Sequence, residues 1–237
     1  MTMTTRTRTR TRTKTGMATE PAALLRLLAW LSPAFPVGGF AYSHGLEWAV
    51  ETRAITNPAT TQDWVAALLA HGSGRNDAIL LAHAHRGDDD GALVELALAL
   101  SAGRERLLET TAQGRAFAAA ARAWNLPRLA RLAETHGPGL PYPVALGAAC
   151  GEACIGLDDA LLAYLHAFAA QLISAAVRLV PLGQAQGLAM LAALEPSITE
   201  VAREAATATL AEIGGVCFRA DLASLAHETQ YTRLFRA

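Results

Sequence analysis

The chain has 237 residues, is 52% hydrophobic and only 17% charged, and carries a formal net charge of −1. Five of its 20 Lys/Arg and one of its 21 Asp/Glu fall in the first 20 residues, leaving the rest with 15 basic and 20 acidic groups, a net −5. That balance excludes the basic footprint of a nucleic-acid-binding domain, and the excess of apolar residues points to an oligomer or to a protein that works with a partner. Ala and Leu dominate the apolar set, which favours helices over strands. The cysteines, Cys150, Cys154 and Cys217, are odd in number and follow no secretory leader, so a reducing, cytoplasmic setting without disulfides is expected. The nearest approach to a membrane span, residues 160–180, is interrupted by His166, Gln171 and Arg178, so no membrane association is expected.

Residues 1–20 alternate Thr and Arg with no apolar face on either side, so a disordered tail is expected, with an electrostatic arm or a transit peptide as alternatives. From 21 to 237 the pattern is helical almost throughout, and no linker divides it. The expected fold is all-α, a single bundle of about ten helices. Leu24, Leu25, Leu28 and Leu31 mark the first helix after Pro21. The stretch 32–47 then reads as a shaped loop. Pro33 and Pro36 restrict their own φ and bias Ser32 and Phe35 away from helix. Gly38 and Gly39 allow the chain to reverse, and Ser43 is placed to cap a second helix ending near Ala54. The loop also carries Phe35, Phe40, Tyr42 and His44, side chains suited to contact.

A third helix starts at Thr60 or Thr61 and runs through Trp64, Leu68 and Leu69. Further helices are expected over 76–85, 91–101, 104–124 and, opened by Pro127, up to the break at Gly137-Pro-Gly139. Arg104, Glu105, Arg106, Glu109, Gln113 and Arg115 form a polar band on one of these helices, read as a solvated face or an interaction face. Gly114 in the same helix costs about 1 kcal/mol relative to Ala, which points to close approach of another backbone. Residues 142–156 and 158–180 follow. The second of these is apolar nearly all round, the mark of a buried central helix. Helices over 183–194 and 196–213, and a short helix with a polar-aromatic tail over 221–237, complete the chain.

Chemistry-bearing constellations are few. His83 and His85, at i and i+2 on a helix, cannot readily share one ion, and together with His71 they are read as surface or core histidines. Cys150 and Cys154 have i, i+4 spacing on a predicted helix, and are read as structural cysteines rather than thiolate ligands. No metal site, cofactor or catalytic residue is assigned: no nucleophile motif and no phosphate-binding Gly-rich loop is present. At Arg178 two readings stand, binding of the last carbonyls of its helix or a positioned surface group. At the tail, Tyr231, Leu234 and Phe235 flanked by Arg233 and Arg236 fit either docking on the bundle or an interface anchor.

Four ordered blocks over about residues 22–237 resemble the UreF family of urease accessory proteins. The first is Pro36, Gly38, Ser43, Gly45, Leu46 and Glu47, with Tyr42 and His44. Tyr142–Gly147 resembles the family's mid-chain motif. Tyr164-Leu165-His166 and Arg178–Gln184 resemble its central helix and the break after it. His227–Arg236 resembles its closing motif. After Gln184 the chain reads Ala185-Gln186-Gly187-Leu188 and departs from the family's more polar run. The resemblance implies a non-enzymatic assembly factor that bridges a UreD/UreH scaffold and the UreG GTPase on apo-urease, regulates GTP-dependent nickel insertion, and pairs as a homodimer. It implies partner binding through Pro36, Gly38, Phe40, Tyr42, Ser43, His44, Glu47, Arg178, Gln184, His227, Glu228, Tyr231, Arg233, Phe235 and Arg236. Two other readings are a helical metal-binding or metal-dependent enzyme using His or Cys, and a helical regulator binding a small apolar ligand.

Overall fold

The computed structural model describes residues 19–236. These residues form twelve α-helices and four short 3-10 segments, with no strand among them, in place of the expected ten or so helices. The expected tail, residues 1–20, lies outside the described residues except for Thr19 and Glu20. Both are tied to the bundle: the Thr19 hydroxyl donates to Asp159 and accepts from the Gly156 amide, and the Glu20 carbonyl accepts from Leu24.

Helix α1 (Pro21–Trp30) buries Ala23, Leu27 and Trp30 and leaves Leu24, Leu25 and Leu28 exposed. The loop of 32–45 leads to α2 (Leu46–Glu51), then α3 (Pro58–His71). The cap of α3 differs from the expected Thr60 or Thr61. Asn57 accepts from the Thr60 amide at 3.1 Å and Thr60 Oγ1 accepts from the Asn57 amide at 3.3 Å, a reciprocal box that Pro58 completes at the first helical position. Gly72 separates α3 from α4 (Ser73–Arg86). Then come α5 (Asp90–Ala99), α6 (Arg104–Ala120), α7 (Pro127–His136) and α8 (Tyr142–Glu152). The remainder is α9 (Leu157–Leu179), α10 (Gln184–Ala193), α11 (Glu195–Ala205) and α12 (Phe218–His227).

The core is built around α4, α8 and α9. By length and composition α9 is apolar enough to cross a membrane. Here it serves as a core helix, burying Leu161, Leu165, Ala169, Leu172 and Ala176 among other side chains while α2, α3, α4, α10 and α11 pack around it. Helices α4 and α8 cross at Gly147 and Gly151. A Cβ there would stand 2.4 Å from the Leu81 carbonyl and 2.2 Å from that of His85, so only glycine permits the approach. Gly114 plays the expected part: a Cβ on it would lie 2.0 Å from the Leu140 carbonyl, where the chain enters α8. A file of edge-on and tilted rings, Phe35, Phe117, Tyr142 and Tyr164, at 5.7–6.2 Å between centroids, links the opening loop to α9.

Candidate interaction site

The opening loop, the N-terminal half of α6, the end of α9 and the closing segment meet in one place, and the loop backbone fixes how. Gly38 (φ 74°), His44 (φ 51°) and Gly45 (φ 73°) are all left-handed. For His44 that conformation is uncommon and has to be held by side-chain contacts. Ser43 does not cap α2 as expected: Gly45 occupies the cap position, and the Ser43 hydroxyl is only within a long 3.5 Å of the Glu47 amide. Gly45 is also pressed against α12, where a Cβ would sit 2.6 Å from the Ser224 amide nitrogen.

His44 turns inward onto the polar face of α6. Its Nε2 lies 3.0 Å from Glu109 Oε1, its Nδ1 lies 3.2 Å from Ser73 Oγ, and its ring stands edge-on to Phe168. Glu109 also accepts from Gln113 Nε2 at 3.0 Å and from Arg106 Nη1 at 3.2 Å. Arg106 reaches on to Asp77, which accepts from the Tyr164 hydroxyl at 2.8 Å. Burial alone would raise the Glu109 pKa, but His44 and Arg106 outweigh it and hold the carboxyl at about 2. Burial, followed by Asp77, pushes the Tyr164 phenol well above its ordinary range. The expectation of a solvated band on α6 is therefore corrected: Glu105, Glu109 and Gln113 are buried, and only Arg104 and Arg115 of that band face outward. The reason is pairing, since each buried charge meets an opposite one.

The closing segment folds back onto the same helix. His227 is fully buried, with Nδ1 2.8 Å from Glu105 Oε2 and Nε2 3.0 Å from Glu47 Oε2. Glu228 accepts from the Arg104 amide at 2.7 Å and the Glu105 amide at 3.3 Å, capping α6 from a distant part of the chain. Arg233 donates to Glu105 at 3.1 Å, and Glu47 accepts from the amides of Leu234 (2.6 Å) and Phe235 (2.9 Å). The Arg236 amide donates to the Ala41 carbonyl at 2.8 Å. Burial and Glu109 raise the Tyr42 phenol, and Arg236 partly offsets them.

Arg178 joins the three parts. Its Nε bonds the Ser174 carbonyl at 3.3 Å, one turn back inside α9 rather than at the last carbonyls, and its Nη2 bonds the Phe40 carbonyl at 2.8 Å. The guanidinium then lies 4.4 Å from the centre of the Phe235 ring, which is itself buried. The structure thus brings together loop, Arg178 and tail. Tyr42, Ser43, His44, Glu47, His227 and Phe235 are internal to the composite. Pro36, Phe40, Tyr231, Arg233 and Arg236 face outward, and Gln184 stands exposed at the start of α10. Phe40 is 71% exposed and Leu234 63%, and Tyr231 is fully exposed. On α12, Phe218, Leu222 and Leu225, at i, i+4 and i+7, are exposed as well. Asp77, Glu105, Arg106, Glu109 and Tyr164 were not singled out as site residues from the sequence; the i, i+4 spacing of Glu105, Glu109 and Gln113 marks the share of α6, and no spacing marks Asp77 or Tyr164.

A cavity of about 380 Å³ opens beside the loop between Phe35, Pro36 and Phe168, and its floor is the His44–Glu109–Arg106 network. Ser73, His44 and Glu109 stand in the order of a nucleophile, base and acid, yet the ring faces Ser73 with Nδ1 and Glu109 with Nε2, the reverse of the hydrolytic template. Glu109 is moreover bound to Arg106 and Gln113, so the file acts as a brace for His44. His83 bonds Asp88 and the Ala208 carbonyl, while His85 bonds the Ile155 carbonyl, so the two histidines serve different neighbours. The expected shared helix for Cys150 and Cys154 is corrected: α8 ends at Glu152, Cys150 is buried, and Cys154 is exposed beyond the end in a left-handed conformation. Among the described residues no three His, Cys, Asp or Glu side chains are grouped to hold one metal ion.

Fold and site together define an all-helical protein whose buried polar groups fasten its own segments and whose loop and tail leave large apolar side chains facing out. A family model for UreF matches residues 55–195. A urease accessory protein UreF of Rhodopseudomonas palustris is 51% identical over 227 residues, covering 93% of this chain and 95% of the relative. Those of Cereibacter sphaeroides and a Bradyrhizobium species are each 53% identical, covering 91% of this chain and 99% and 92% of the relatives. The chain belongs to the UreF family.

Proposed function

We propose that this protein is a non-catalytic component of urease maturation that acts in the cytoplasm. It bridges a UreD/UreH-type scaffold and the UreG GTPase on apo-urease and regulates GTP-dependent nickel insertion. Membership in a family of urease accessory proteins supports the general role, and the resemblance of the four sequence blocks supports the named partners. The observation that carries the assignment of the surface is the exposure of Phe40, Tyr231 and Leu234 on a loop and a tail that Arg178 and the buried His227 pairs fasten together. Large apolar and aromatic side chains on a rigid support are the composition of interface anchors. The candidate residues then divide. Pro36, Phe40, Gln184, Tyr231, Arg233 and Arg236 touch the partners, and Gly38, Tyr42, Ser43, His44, Glu47, Arg178, His227, Glu228 and Phe235 hold those residues in place.

The test is capture of the scaffold. Tyr231→Ala with Leu234→Ala is expected to abolish co-purification with a UreD-type scaffold and to block urease activation while helical circular dichroism is unchanged, each anchor being worth about 2 kcal/mol. Activation at wild-type yield would sink the assignment. The protein is also proposed to pair with itself, because exposed Leu24, Leu25 and Leu28 on α1 add a second apolar patch. Light scattering at tens of micromolar is expected to give twice the chain mass.

A further inference from the structure

The closing segment beyond α12 has no regular structure, yet Leu234 and Phe235 are held by two successive backbone amides that converge on one side chain. That side chain is Glu47, which lies 180 positions before His227 in the sequence. We infer that Glu47 is a positioning residue, a buried carboxylate clamp that sets the conformation of 228–236 and so aims Tyr231 and Leu234 outward. The partner-binding half of this inference rests on the function proposed above.

The geometry is specific to a carboxylate. Oε1 accepts from the Leu234 amide at 2.6 Å, and Oε2 accepts from the Phe235 amide at 2.9 Å and from His227 Nε2 at 3.0 Å. Every group facing Glu47 is thus a donor. A carboxamide offers one acceptor oxygen and would present its own donors to the remaining groups. His227 closes the far side. Both of its ring nitrogens face carboxylate oxygens, Glu47 at one and Glu105 at the other, so the ring stands between the two acids and braces them apart. Arg233 then takes up the second oxygen of Glu105. Glu47 itself is only 7% exposed and both oxygens are occupied, which leaves it nothing to offer a partner directly. Any effect of Glu47 on partner binding therefore passes through the tail.

Amide hydrogen exchange on the full-length protein separates the two halves. In the wild type the Leu234 and Phe235 amides should exchange about tenfold or more slowly than those of Thr232 and Arg233, the protection given by hydrogen bonds to a charged acceptor. Glu47→Ala should erase that protection and lower capture of a UreD-type scaffold by about tenfold or more, with α9 amides still protected. Glu47→Gln, which keeps one acceptor, should fall between and serves if the alanine variant does not fold. Equal exchange at 232–235 in the wild type, or protection that survives in both variants, would overturn the clamp. A tail that loosens while the scaffold is captured at wild-type yield would leave the clamp standing and overturn the tail as the partner surface.

Discussion

Glu109 is a carboxylate kept ionised inside the protein, and its pH dependence follows from that. Its folded-state pKa, about 2, lies below the ordinary 4.5, so its contribution to stability is fully present above about 4.5 and is lost as the pH falls through 2. The shift corresponds to about 3 kcal/mol. Thermal melts of the wild type should therefore lose stability between pH 5 and 2, and Glu109→Gln should flatten that part of the profile while lowering stability at pH 7. A mutant profile parallel to the wild type would show that other acids govern the acid limb. Two glycines of the opening loop give a contrasting pair. Gly38 has positive φ with open space around it, so Gly38→Ala should cost about 1 kcal/mol from backbone strain alone. At Gly45 the same strain is joined by a Cβ 2.6 Å from the Ser224 amide nitrogen, so Gly45→Ala should cost more and loosen α12 from α2. Denaturant midpoints of the two variants check the order.

At the scale of elements, the α4–α8 crossing is a joint that only glycine permits. Gly147→Ala would push a methyl to 2.4 Å from the Leu81 carbonyl, which backbone cannot yield without separating the helices. A loss of about 2 kcal/mol or more is expected, comparable to overpacking a core, and urea unfolding measures it. Helix α6 depends on its neighbours in another way. It begins after Gly103 with no side-chain cap of its own, and Glu228 supplies the missing acceptor from across the molecule. Glu228→Ala should cost about 1 kcal/mol, as the loss of a local cap does, and should fray both α6 and the tail. Faster amide exchange at Arg104 and Glu105 is the measurement.

At the scale of the whole molecule, the two segments that stood out in the sequence are one structure. Removing 228–236 would take away Phe235 from beneath Arg178, the Arg233 partner of Glu105 and the amides on Glu47 together. The expected result is a folded bundle, since α4, α8 and α9 are untouched, with a melting temperature lowered by several degrees and the opening loop loosened. This corresponds to about 2–3 kcal/mol lost from a chain of this size. Proteolysis within 35–45 in the truncated form, absent in the wild type, is the readout.

Much of this architecture is local and was legible in the residues. Pro21 and Pro127 open helices where proline costs no hydrogen bond, Gly137 and Pro181 lie at breaks, and the apolar girth of α9 marks it as central, because propensity and period act over a few residues. Gly114 announced a backbone crossing by its cost. Only the tertiary structure decided which way the polar face of α6 turns. Periodicity says that Glu105, Glu109 and Gln113 share a face, but not that His44, Arg106 and His227 wait there to pair with them. The same holds for Cys154, which fits a helix by spacing and lies beyond its end, and for Glu47, whose partners arrive from the far end of the chain. A buried charge is stable only with its partner in place, and that pairing is a property of the folded chain, set largely by residues far apart in sequence, 65 positions for His44–Glu109 and 122 for Glu105–His227.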